Sequence, residues 1–263
     1  MISSPPKPAW HRLTLWILLL GLVVSLAINV GLFLTARKYY TREAWVRFHP
    51  FNTAAPLKSG HPGGIRVLLL GDSRIAEWPA LPADKFLTIN AGVPGETTTQ
   101  ILLRTETLLV SENPQVVLVQ AGINDLKAIG VLPGEAAFIQ QHCTGNIIEI
   151  VNLCRQHDAK VVLTLILPSG KVSWAREMVW SEEIMTALKR TNDELGSHFA
   201  NAANVTVLDL SALLSGTASH TNDFSDYRDT LHLEPAAYQK LAPKVVAAIT
   251  TLLDKDPKNA PPR

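Results

Sequence analysis

Five short apolar runs, at residues 65–70, 86–89, 116–119, 161–167 and 205–210, recur along the chain with helical patterns between them. Runs of this length, rich in Val, Ile and Leu and lacking polar alternation, suit strands covered on both faces. Strands that alternate with helices need crossover connections, and those connections lay helices on both sides of a parallel sheet. The pattern therefore predicts a three-layer α/β/α sandwich on a five-stranded parallel sheet, spanning residues 65–253. Between the strands, Thr97 caps a helix that runs to about Val110, ahead of Asn113-Pro114. Further helices are expected over 134–157 and from about Glu177 to Ala200. The last opens at Pro235, a residue suited to the first helical position, and carries one apolar stripe of Leu241, Val245, Ala248 and Leu252. The tail from 254 to 263, with three prolines, is expected to lack order.

A different element precedes this domain. Residues 13–34 form 22 positions without a charge, interrupted only by Thr14, Ser25 and Asn29 among polar side chains. At ~1.5 Å per residue such a helix crosses the roughly 30 Å of bilayer hydrocarbon. Trp10 and Trp16 flank one end and Tyr39 and Tyr40 the other, where interfacial aromatics belong. The rival reading is a cleaved signal peptide, with Lys7 and Arg12 as its basic region and Ser25-Leu26-Ala27 as the cleavage site. The apolar run continues well past Ala27, which favours an uncleaved transmembrane anchor at 13–36 after a tail of residues 1–12. Arg37, Lys38, Arg42 and Arg47 come after the segment, and read literally they hold the domain in the cytoplasm. An amino-terminal signal anchor instead exports the chain on its carboxyl side, and an extracytoplasmic domain is the expectation adopted. Residues 37–64, broken by Pro50, Pro56, Pro62 and a Gly-rich run, read as a juxtamembrane linker.

Net charge is +1, so no global field draws the chain to nucleic acid. Glycines 60, 63 and 64 precede a strand instead of succeeding one, and no Gly-Lys-Ser/Thr ends them, so they are no phosphate loop. The sequence contains neither His-Glu-x-x-His nor Cys-x-x-Cys, and no metal or cofactor is expected. Cys143 and Cys154 lie eleven residues apart in one predicted helix, ~16 Å along its axis. A disulfide needs Cα atoms within ~7 Å, so these two read as separate buried thiols.

The polar punctuation falls at the carboxyl ends of strands. The first run ends in Gly71-Asp72-Ser73-Arg74, the second in Asn90-Ala91-Gly92-Val93-Pro94-Gly95, and the third in Gln120-Ala121-Gly122-Ile123-Asn124-Asp125. Asp229-Thr230-Leu231-His232 precedes the last helix. In an open parallel sheet these positions converge on one rim. The four blocks, in this order and spacing, resemble the SGNH (GDSL-type) hydrolases over almost all of 65–253. The branch similar to platelet-activating-factor acetylhydrolase and bacterial carbohydrate esterases is nearest, since Arg74 comes directly after the serine and Trp78 lies downstream. The chain departs from the pattern in lacking the eponymous Leu after Ser73 and in its Asp-Thr-Leu-His-Leu-Glu ending.

A serine hydroxyl needs a base to take its proton. Among eight histidines His232 is the best placed, with His220 as competitor. Asp229, three residues earlier, can hold the imidazole, with Asp226 and Asp209 as less well spaced acids. The resemblance further implies an oxyanion hole from the backbone N–H groups of Ser73 and Gly92 and the side-chain amide of Asn124. Arg74, Trp78 and Trp174 are expected to shape the substrate pocket, the last with Lys171, Arg176 and Trp180 on the loop after the fourth strand. Asp72 and Asp125 are expected to bond loop amides. The resulting expectation is a membrane-anchored serine esterase that passes through an acyl-enzyme. Its substrates would be small acyl esters, such as acetyl groups on carbohydrate, or lipid esters. Acyl transfer to a sugar hydroxyl through the same site, or an anchored scaffold without turnover, are the alternatives.

Overall fold

A computed structural model describes residues 9–48, 55–82, 84–214 and 223–254. His220, His49, Pro50, most of the expected amino-terminal tail and the carboxyl-terminal tail beyond Asp254 lie outside the described residues. The chain divides into two compact units, residues 1–50 and 51–263.

The first unit is one helix, α1 (Ala9–Phe48), of 40 residues. Its apolar side chains, Leu13, Trp16, Leu20, Leu26 and Phe33 among them, are all exposed. It is the one helix, among the described residues, that is long and apolar enough to cross a membrane. The few polar side chains in its apolar stretch bond back to the helix: Thr14 Oγ1 donates to Trp10 O at 2.9 Å and Asn29 Nδ2 to Ser25 O at 2.8 Å. Residues 37–48 continue the helix where a linker was expected. That stretch holds neither Gly nor Pro, so nothing in it stops helix propagation.

The second unit is built on a six-stranded sheet in the order β1-β3-β2-β4-β5-β6. Its strands are β1 (Leu57–Gly60), β2 (Ile65–Gly71), β3 (Phe86–Gly92), β4 (Val116–Gln120), β5 (Lys160–Thr164) and β6 (Val205–Leu208). The five expected strands are present and mutually parallel. The sixth was not foreseen: β1 runs antiparallel along the free edge of β3, inside the expected linker, so the sheet is mixed. Its Leu-Lys-Ser-Gly sequence is exposed at every position and carries little strand signal.

The central strands alternate their apolar side chains between two cores. Leu68, Leu70, Val117 and Val119 face one layer, with Ile101, Ile147, Val151 and Leu188. That layer comes from α3 (Thr98–Glu112), α5 (Ala136–Gln156) and α7 (Glu182–Phe199). Val67, Leu69, Val116 and Leu118 face the other, with Trp78, Tyr238, Leu241 and Val245 of the segment after β2 and of α8 (Pro235–Asp254). Burying such side chains on both faces stabilises each by about 1.5–3 kcal/mol. The helix expected from Gly134 opens instead with a 3₁₀ turn, Pro133–Glu135, before α5. The one expected from Glu177 splits into α6 (Trp174–Glu177) and α7. Cys143 and Cys154 are both buried free thiols on α5.

The chain leaves β2 toward β3 and then crosses back to β4 on the other side. Connections diverge at the carboxyl end of β2, and a crevice opens at such a switch point. Ser73 stands there.

Candidate active site

Ser73 is the first residue of α2 (Ser73–Ala76), one position past the Asp72 that caps it. Asp72 Oδ1 accepts the Arg74 N–H at 2.9 Å, fixing the turn that lifts Ser73 off the strand end. Asp72 is fully buried, and that burial raises its carboxyl pKa against the opposing pull of the Arg74 charge.

Ser73 Oγ lies 3.1 Å from His232 Nε2, although the residues are 159 positions apart. His232 Nδ1 lies 2.8 Å from Asp229 Oδ2. Asp229 Oδ1 accepts two backbone N–H groups, from Leu231 at 2.7 Å and His232 at 2.9 Å. Partial burial pushes the Asp229 carboxyl up. The Leu231 N–H, the His232 imidazole and the His232 N–H outweigh it and bring the carboxyl down to about 2. At neutral pH the group is therefore an anion facing the ring nitrogen remote from Ser73, the tautomer-fixing arrangement that leaves Nε2 to accept from a hydroxyl. The alternative acids are engaged elsewhere: Asp226 pairs with Lys240, and Asp209 Oδ1 accepts the N–H and hydroxyl of Ser211.

Asn124 lies in α4 (Ile123–Leu126), just past β4, and is buried. Its Nδ2 donates to Glu96 O at 2.9 Å, and its Oδ1 accepts from Lys127 Nζ at 2.6 Å. The two contacts fix the amide orientation and leave one N–H of the Nδ2 group to spare. Asp125 Oδ2 accepts the Thr98 N–H at 2.9 Å and Oδ1 the Thr98 hydroxyl at 2.6 Å, tying this turn to the start of α3.

Three expectations change. The Gly92 N–H, expected to serve an oxyanion, donates to Asn90 Oδ1 at 2.9 Å. Gly92 is there for contact: a Cβ would lie 2.1 Å from the Ala76 backbone nitrogen, so only glycine lets β3 approach α2 this closely. Three residues on, Gly95 holds φ +84° in the turn closed by the Glu96 N–H on Val93 O. The N–H groups of Ser73 and Gly95 meet no acceptor among the described residues. Arg74 and Trp78, expected to wall the pocket, are 1% and 3% exposed. The Trp78 ring packs edge-on to Tyr238 at 5.3 Å between centroids. Trp174 remains available: it is 81% exposed on α6, and the preceding loop is pinned beside the histidine turn by Ser173 N–H and Gly170 N–H bonds to Thr230.

Sequence reading missed three charged residues around the site. Glu96 and Arg104 form a buried ion pair at 2.7 Å, and Arg104 Nη2 also donates to Gly71 O at 3.2 Å, bracing the 93–97 loop against the end of β2. Lys127 is the third. An acid one residue past a Pro-Gly turn, eight positions before an arginine on the next helix, was the available signal for the first two.

Against solved structures the fold has many relatives at low identity. A GDSL-like lipase from Bacteroides thetaiotaomicron shares 20% identity at a TM-score of 0.58, covering 82% of this chain and 97% of its own. A catalytic mutant of an acetylxylan esterase from Geobacillus stearothermophilus shares 16% at 0.55, covering 73% and 96%. A carbohydrate acetylesterase from Sinorhizobium meliloti shares 15% at 0.53, covering 72% and 99%. No curated protein matches the sequence. Residues 60–240 match the family described as GDSL-like Lipase/Acylhydrolase, which encloses β2, Ser73, Asn124, Asp229 and His232. The chain belongs to the GDSL-like lipase/acylhydrolase family and is a serine hydrolase acting on ester bonds.

Proposed function

We propose that Ser73 is the nucleophile, His232 the general base and Asp229 the acid that orients it. The observation that carries the proposal is the unbroken series Ser73 Oγ to His232 Nε2 at 3.1 Å and His232 Nδ1 to Asp229 Oδ2 at 2.8 Å. His232 takes the hydroxyl proton as Ser73 Oγ attacks the ester carbonyl, then returns it to the departing alcohol. Water activated by the same imidazole hydrolyses the acyl-enzyme. The oxyanion donors are the N–H of Ser73, the spare amide N–H of Asn124 and, in place of Gly92, the N–H of Gly95. Each such donor, fixed before the charge develops, lowers the barrier by about 2.7–4 kcal/mol.

The substrates are small acyl esters, with acetyl groups on carbohydrate as the leading class. Two structural relatives named for acetylated carbohydrate and the exposed Trp174 face beside the histidine turn support this. α1 anchors the enzyme in a membrane. An exposed apolar helix with its polar side chains bonded back to its own carbonyls fits hydrocarbon, where no water satisfies them. The domain lies outside the cytoplasm.

The test uses the full chain in detergent. A fluorophosphonate probe labels the wild type and not Ser73→Ala, and an ester panel shows turnover falling as the acyl chain lengthens beyond acetyl. Equal labelling of Ser73→Ala removes the nucleophile assignment; a rise in turnover with long acyl chains removes the acetyl assignment. A reporter fused after Arg263 reads the topology.

A further inference from the structure

Arg74 comes directly after Ser73 and is among the most deeply buried side chains of the protein. Its guanidinium meets no carboxylate at ion-pair distance among the described residues. It donates instead to three neutral carbonyls: Nε to Leu231 O at 2.9 Å, Nη1 to Leu167 O at 2.7 Å and Nη2 to Pro168 O at 3.0 Å. Burying a cation is costly, and a fork closed on carbonyls recovers less than one closed on an anion. An apolar residue would avoid burying the charge but would leave these three carbonyls without the donors that tie them to the serine turn. The arrangement calls for a purpose beyond packing.

The three carbonyls come from two segments remote in the chain. Leu167 and Pro168 lie just past β5, and Leu231 precedes His232. The Leu231 carbonyl belongs to the peptide unit whose N–H, that of His232, donates to Asp229 Oδ1 at 2.9 Å. One planar peptide is thus gripped at its oxygen from the serine turn and at its N–H by the acid. Fixing both ends fixes where the His232 side chain begins. The brace is itself held: Tyr238 Oη donates to Arg74 O at 3.0 Å, and Tyr227 Oη to Pro168 O at 3.1 Å.

We infer that Arg74 is a positioning residue whose forked guanidinium sets the spacing between Ser73 Oγ and His232 Nε2. The inference rests on the reading of those two residues as nucleophile and base. Arg74 touches neither substrate nor reacting atom and acts through the Leu231–His232 peptide. Lysine cannot replace it, because an ammonium on a flexible stem does not reach three carbonyls in one plane.

The experiment compares the full chain with Arg74→Lys, Arg74→Gln, Tyr238→Phe and, as a control in the opposite core layer, Ile147→Val. It reads kcat and KM on an acetyl ester, the rate of fluorophosphonate labelling and the melting temperature. Misplacement of the base by about 1 Å costs on the order of 100-fold. Arg74→Lys is therefore expected to lose about that in kcat and in labelling rate, with KM changed by no more than about twofold. Tyr238→Phe loses less, in the same direction, and Ile147→Val melts earlier with kcat intact. A folded Arg74→Lys with wild-type kcat and labelling overturns the inference, as does a loss confined to KM, which would put the guanidinium on the substrate. Should both Arg74 variants fail to fold, unchanged kcat in Tyr238→Phe overturns it. Failure of the underlying reading shows separately, as labelling and turnover that survive Ser73→Ala.

Discussion

Lys127 and Asn124 offer a prediction in which the two effects can be separated. Asn124 presents an amide N–H to the proposed oxyanion position, so Asn124→Ala is expected to lower kcat by about 10²–10³, or 2.7–4 kcal/mol. Lys127 never reaches that position in the proposed scheme; its ammonium holds the amide oxygen at 2.6 Å. A hydrogen bond to a charged group contributes about 1.5–3 kcal/mol. Lys127 is only half-buried, and solvent screening reduces this. The amide is also held from its other side by Glu96 O at 2.9 Å, and a flipped amide would set oxygen against oxygen there. Lys127→Met should therefore cost about 1 kcal/mol, roughly fivefold in kcat.

The assay is a double-mutant cycle on kcat with an acetyl ester as substrate. If Lys127 works only by orienting Asn124, its removal has no further effect once Asn124 is alanine. The coupling energy then equals the whole Lys127→Met loss, about 1 kcal/mol. A Lys127→Met loss that persists undiminished in the Asn124→Ala background refutes the reasoning, since the ammonium would then be acting on the substrate or the oxyanion itself.

Four further outcomes are expected. Asp229→Asn should lower kcat by about 10³–10⁴ with KM nearly unchanged, because the imidazole loses the partner that fixes its tautomer. Because the folded carboxyl lies near 2, below its ordinary 3.8, Asp229 stabilises the protein above the ordinary value and ceases to as pH falls through about 2. The melting difference between wild type and Asp229→Asn should accordingly shrink on acidification across that window, and a difference constant with pH would contradict it. Gly92→Ala drives a methyl into the backbone of Ile75 and Ala76, so it should destabilise by about 1–3 kcal/mol and lower the melting temperature by roughly 3–10 °C. A melting temperature at the wild-type value, read by calorimetry, would disprove the contact. Trp174→Ala should raise KM for acetylated oligosaccharide about fivefold while leaving KM for a small aryl acetate alone, and equal changes on both would deny the indole a sugar-facing role.

The parts of this structure legible in the sequence are those set by local pattern. The parallel strands are continuous apolar runs, buried on both faces, and the polar blocks fall at their carboxyl ends because a parallel sheet offers its crevice there. The end of α1 was not legible in the same way: the linker reading of 37–64 rests on prolines and glycines that begin only at Pro50, and no residue at 37–48 breaks a helix. β1 was illegible for a different reason. Leu-Lys-Ser-Gly pairs because β3 leaves an open row of backbone groups at the sheet edge, a property of the partner strand and not of the four residues themselves.

Gly92 and Arg74 show where local pattern ends. Two glycines, Gly92 and Gly95, stand within one block, and residue type alone makes either a donor to an oxyanion. In the proposed site a third residue separates them, since Asn90 accepts the Gly92 N–H while its own Nδ2 donates to Ile75 O and fastens α2 to β3. Arg74 poses the same problem over a longer range. An arginine beside a reactive serine reads as a substrate contact, because most arginines stay in water unless paired. Its partners are carbonyls 93, 94 and 157 residues away, and a carbonyl carries no signature in the sequence, since every residue has one. Side-chain identity can therefore place a reactive group at a strand end. It cannot tell a residue that touches the substrate from one that holds the reactive groups in register, because that distinction lies in backbone acceptors brought together only by the fold.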